Sequence, residues 1–121
     1  AKELDAYVRM FGAFFMPDAN ADQLSGFTNL QRKATPPENA ANIQLAIDSI
    51  DISTELSNVQ APTLVFHVRE DARAPFEEGR RMAASIPNAR FIPLEGRNHV
   101  MLADDPSLEL FLNEVSRFLQ Q

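Results

Sequence analysis

The sequence predicts an α/β fold in which a helical segment, residues 1–50, precedes a βαβα unit, residues 51–121. Three features predict it. Thr63–Val68 is an apolar run of β-branched and aromatic residues, as suits a parallel strand buried on both faces. Arg90-Phe-Ile-Pro-Leu94 forms a second such run after a helical pattern. Strand, helix, strand, helix then implies parallel pairing through a right-handed crossover.

The first fifty residues read as three short helices punctuated by proline. Leu4, Tyr7, Val8, Phe11, Phe14 and Phe15 recur at helical spacing until Pro17 ends the pattern. Asn20 and Gln23 have the spacing of a capping box, opening a helix that carries Leu24, Phe27 and Leu30. Thr35 and Glu38 repeat the spacing with Pro36 at the first helical position, and Ala40, Ile43, Ile47 and Ile50 follow on one face. Asp51–Gln60 reads as a connector with one helical turn, its Ile52, Leu56 and Val59 facing inward.

The helix after the first strand spans Pro75–Ile86, with Phe76, Gly79, Ala83 and Ile86 on one face. Gly79 permits close approach of helix and sheet, at a helix-propensity cost of about 1 kcal/mol. Pro93 places the second strand at or near an edge, because proline cannot donate to a neighbouring strand. The last helix begins with Asp105 as cap and Pro106, and shows the clearest amphipathic pattern: Leu108, Phe111, Leu112, Val115, Phe118 and Leu119. In the middle helix, Arg80 and Arg81 beside Glu77 and Glu78 suit ion pairs on an exposed face rather than a phosphate site.

At 121 residues the chain fits one domain. Two parallel strands do not make a self-sufficient core, so that domain is expected to be incomplete. Its sheet would be completed by a missing N-terminal half or by a second copy joining through the open edge. A start at Ala rather than Met fits an excised segment as well as removal of an initiator Met.

Eleven basic and seventeen acidic residues give a net charge of −6, which opposes direct binding to nucleic acid and to anionic lipid. No apolar run approaches the roughly 20 residues needed to cross a bilayer, and no basic-then-apolar leader is present. Absence of cysteine removes disulfides, thiolate metal sites and a thiol nucleophile, and fits a reducing, cytoplasmic setting. No cofactor is implied.

Parallel strands present working residues in the loops at their carboxyl ends. Asp71 lies in the first such loop and His99 in the second. If the strands are neighbours, about 5 Å apart, the carboxylate can reach the imidazole, fix its tautomer and leave its other nitrogen to accept a proton. Each residue also has a plainer reading, Asp71 as a turn or cap residue and His99 as an incidental loop residue. His67, Asp71, His99, Asp104 and Asp105 match the spacing of no standard metal site, and the paired acids suit the start of the last helix.

These residues resemble the carboxyl-terminal portion of the α/β-hydrolase superfamily over about residues 55–120. Pro62-Thr-Leu-Val65 and His67 match the segment that leads to the family's acid, on which Asp71 falls; Pro75 matches the proline that follows. Ile86-Pro-Asn-Ala89 matches the turn before the last strand, His99 falls on the base, and Asp105-Pro106 starts the terminal helix. Val68 stands where a glycine is usual, and Asn98 replaces the commoner glycine before the base. The resemblance implies a partial α/β-hydrolase fold, with residues 1–50 as part of its lid and Asp71 and His99 as two members of a Ser-Asp-His triad. The family's Gly-x-Ser-x-Gly nucleophile turn is not in this sequence: Ser25-Gly26 falls inside a predicted helix, and the other serines lack the glycine frame.

The resemblance therefore implies esterase-like hydrolysis of a small-molecule substrate with the nucleophile outside this chain, and no such activity from the chain alone. Phe15-Met-Pro-Asp18 and Asn29-Leu-Gln-Arg32 are similar to the lid of hydrolase-like domains joined to LuxR-type transcription regulators or adenylate cyclases. That similarity implies an alternative role as a non-catalytic module that senses a small-molecule ligand.

Overall fold

Two strands, β1 (Thr63–Val68) and β2 (Ala89–Leu94), lie parallel in the computed structural model, which describes residues 2–121 and side chains from residue 6 onward. The expected inward placement of Leu4 lies outside those side chains. Helix α4 (Phe76–Ser85) makes the crossover between the strands, and α5 (Leu108–Leu119) follows β2. Upstream stand α1 (Lys2–Phe15), α2 (Ala21–Ala34) and α3 (Pro37–Asp48), then a single 3-10 turn at Leu56–Asn58. This is a partial α/β fold with a helical segment before a two-stranded parallel sheet, as the sequence predicts.

The register pairs Thr63 with Ala89 and Val68 with Leu94, so the strands end level and their exit loops emerge side by side. Helix α4 is held close to β1 because Gly79 is buried: a Cβ there would lie 2.4 Å from Nδ1 of His67. Phe76 bridges from this helix to the edges of the His67 and Phe91 rings. Along the exposed side of the helix Arg80 pairs with Glu77 at 2.9 Å and Arg81 with Glu78 at 3.0 Å. On the opposite face of the sheet, Phe66 packs against Phe111 of α5 with ring centres 4.8 Å apart.

Several local expectations are corrected. The Asn20–Gln23 capping box forms in both directions, but Thr35 does not open α3. Its backbone N–H instead closes α2 on the Gln31 carbonyl, and Pro36 precedes α3 without a side-chain cap. Helix α5 starts at Leu108 rather than at Asp105-Pro106, because Asp105 accepts from the N–H of Ser107 and from Asn98 in a turn that delays the helix. Ile52 is exposed rather than inward-facing, and along β1 only Val65 is buried rather than both faces. β1 has a single neighbouring strand in the sheet. Among the described residues the buried apolar ones are Met16, Val65, Ile86 and Leu94.

No helix among the described residues is long and apolar enough to cross a membrane.

Candidate active site

The level ends of β1 and β2 bring Asp71 and His99 together across 28 residues of sequence. Nδ1 of His99 lies 2.7 Å from Oδ2 of Asp71. The other carboxylate oxygen, Oδ1, accepts from the backbone N–H of Arg73 at 2.8 Å and of Ala74 at 3.0 Å. Asp71 is thus both the turn residue of its loop and the partner of the imidazole; the two readings of it coexist. Its side chain is 4 % exposed and that of His99 37 %.

Burial acts on Asp71 to raise its pKa. The bonds from Ala74, His99 and Arg73, with the nearby imidazole charge, outweigh that and hold the carboxyl below its ordinary range. An ionised Asp71 can only accept, so Nδ1 of His99 carries a proton, and in the neutral imidazole Nε2 keeps its lone pair. Among the described residues Nε2 has no hydrogen-bond partner. His67 lies on the other side of the acid. Its Nε2 donates to the Ala74 carbonyl at 2.9 Å and stands 3.7 Å from Asp71 Oδ2, so it braces the same loop from below.

The loop carrying His99 is tied to the upstream helices. The backbone N–H groups of His99 and Val100 both donate to the Phe15 carbonyl at the end of α1, at 2.7 and 3.1 Å. Phe15 also presents its ring to the imidazole edge-on, with centres 5.2 Å apart. Asn98, 5 % exposed, accepts from the N–H of Asp18 and donates to Asp105, while Arg97 forms an ion pair with Asp18. Asn98 therefore clamps its loop to residues on both sides of it. Gly96 adopts φ 127°, a conformation that disfavours any side chain, and its carbonyl accepts from the N–H of Glu70 to join the two loops.

A cavity of about 260 Å³ opens beside the pair, lined by Asp71, His99, Asn98, Met101, Phe66 and Phe111 among others. None of the described serine hydroxyls bonds to His99; Ser49, Ser85 and Ser107 donate to nearby carbonyls. Among the described residues, no group of three or more His, Asp or Glu side chains is arranged to hold a metal ion. Phe15, Arg73 and the Asn98–Asp18 bond were not anticipated as parts of the site. The one local signal for Arg73 is its place two residues after the acid.

No family model matches the chain. It is 36% identical over 61 residues to a protein of Pseudomonas syringae named carbamate hydrolase RutD, covering 50% of this chain and 24% of that protein. A protein of the same name from Rhizobium rhizogenes is 31% identical over 100 residues, 83% of this chain and 36% of its own length. The AB hydrolase superfamily protein YisY of Bacillus subtilis is 26% identical over 86 residues, 71% of this chain and 32% of that protein. The chain spans about a quarter to a third of the length of these relatives. With the parallel strands and the loops they position, these matches support a relationship of this chain to the α/β-hydrolases.

Proposed function

We propose that this chain is the carboxyl-terminal part of a hydrolase domain in which Asp71 orients His99, and His99 acts as general base on a serine supplied from outside the chain. The observation that carries the reading is the 2.7 Å bond from Asp71 to Nδ1 of His99, which leaves Nε2 available beside a cavity. In such a site Nε2 takes the hydroxyl proton as the serine attacks an acyl carbon, and the buried carboxylate stabilises the imidazolium that results. The proton then passes to the leaving group, and a water, deprotonated by Nε2 in turn, attacks the acyl-enzyme, so that the acid product leaves and the proton returns to the serine oxygen. The bond cleaved is an ester or a similar acyl bond; a carbamate, named for the RutD relatives, belongs to the same class.

The native polypeptide from its source cells tests this. We expect a mass above 13.5 kDa, turnover of a nitrophenyl ester, and a fall in kcat of about 10⁴ with Asp71→Asn and on the order of 10⁶ with His99→Ala. A native mass equal to this chain's, or a His99→Ala protein that hydrolyses at the wild-type rate, would sink the proposal.

A second reading, in which the unit binds a small molecule without turnover as a regulatory module of a larger protein, is favoured by a separate apolar cavity. That cavity lies among α1, α2 and α3. A native polypeptide that binds ligand and never turns it over, with or without His99, selects this reading.

A further inference from the structure

The cavity among the first three helices has a volume of about 300 Å³, within the usual range for small-molecule sites. Its walls are mainly apolar, with Tyr7, Phe11, Phe15, Ile43 and Ile47 prominent, and among the described residues no acidic side chain lines it. Two cations do, Arg32 and Arg73. Arg73 is the one tied to the candidate active site, since its backbone N–H donates to Asp71. Its guanidinium sits 5.5 Å from the centre of the Phe15 ring and donates to Oε1 of Gln44 at 3.4 Å. Among the described residues it has no carboxylate partner.

We propose that this cavity binds a small apolar carboxylate, its hydrocarbon part between α1 and α3 and its carboxylate on Arg73. A guanidinium held against an aromatic face in a half-open, mainly apolar cavity, with a neutral amide as its side-chain hydrogen-bond partner, keeps its charge uncompensated by any described carboxylate. The group that relieves this is a planar anion able to accept two parallel N–H bonds. Phe15 forms the wall between the two sites, lining the cavity on one side and touching the His99 ring edge-on. The proposal names the ligand class that the second reading leaves open, and rests on that reading only in taking this cavity as a ligand site; it requires no serine and no turnover.

The test is calorimetric titration of the native polypeptide at pH 7 with octanoate and with 1-octanol, which share a chain and differ in charge. Wild-type protein is expected to bind octanoate at least ten-fold more tightly than octanol. In Arg73→Met the preference falls to within two-fold while octanol affinity holds, and Arg73→Lys retains part of it. Ile43→Glu, on a half-exposed position that tolerates a polar side chain, weakens both ligands and places them in this cavity. Circular dichroism matching wild type is required of each variant. Equal affinity for the two ligands, or a preference that survives Arg73→Met, overturns the carboxylate assignment and leaves ligand binding standing. Failure of both ligands to bind, or binding that Ile43→Glu leaves unchanged, overturns the cavity as the ligand site.

Discussion

Asp71 accepts three hydrogen bonds with almost none of its side chain exposed, and its stability contribution must therefore depend on pH. Its pKa is depressed in the folded chain relative to the ordinary value of 3.8. A group depressed on folding stabilises the native state above its unfolded pKa, and that contribution is lost as pH falls through the lower folded value. Asp71→Asn removes the titration while keeping an oxygen that can accept from Arg73 and Ala74. Thermal unfolding of the two proteins should show a wild-type advantage near pH 5 that narrows as pH falls below the usual carboxylate range. A gap that stays constant down to the lowest pH at which both fold would show that Asp71 is not held below its ordinary value. The meeting of Asp71 with His99 was legible in the sequence because parallel strands of equal length deliver their exit loops to one place. The edge of Phe15 on His99 was not, nor was the bond from Asp18 to Asn98, because each joins positions about 80 residues apart in sequence and no local pattern encodes that contact.

The elements were read from apolar periodicity, and that signal located every helix and both strands while misplacing two helix starts. Thr35 illustrates why: the same residue can open one helix or close the one before it, and the short connection between α2 and α3 gives it to α2. Gly79 was legible for a sounder reason, since a glycine on the buried face of a crossover helix has few uses other than close approach. An added methyl at that position meets His67 at Nδ1 and, at 2.8 Å, at Cβ. His67 cannot swing away without leaving the Ala74 carbonyl. Alanine gains about 1 kcal/mol of helix propensity over glycine, whereas overpacking a filled contact costs about 1–3 kcal/mol and shifts the backbone. Gly79→Ala should therefore lower the urea midpoint of unfolding despite its better propensity, and should disturb the Asp71–His99 bond through the loop that His67 braces. Double substitution with His67→Ala should recover the midpoint above that of Gly79→Ala alone; an unchanged or raised midpoint in the single variant would mean that α4 moves off the sheet at little cost.

At the scale of the whole molecule the notable fact is how much apolar surface stays uncovered. Leu45, Ile50 and Leu119 are 69 %, 65 % and 75 % exposed, and no large side chain among the described residues is fully buried. The free edge of β1 adds unpaired backbone to this surface. The N–H groups of Thr63 and Arg69 donate to the carbonyls of Asn88 and Leu94 in and beside β2. Successive N–H groups alternate in direction along a strand, so those of Leu64, Phe66 and Val68 point to the open side. An unprotected edge of this kind pairs with any strand that reaches it. We predict that the isolated 121-residue chain self-associates, its sedimentation-average mass rising above 13.5 kDa with concentration. Leu64→Pro removes an N–H that faces away from β2, so it should suppress the association while leaving the β1–β2 pairing and the circular dichroism in place. The native polypeptide, if longer residues upstream supply the neighbouring strand, should remain monomeric at the same concentrations, because the edge is then already paired. A wild-type chain that stays at 13.5 kDa throughout the concentration range, or a Leu64→Pro variant that associates as readily, would place the sticking surface elsewhere, on the exposed isoleucines of α3 rather than on the sheet.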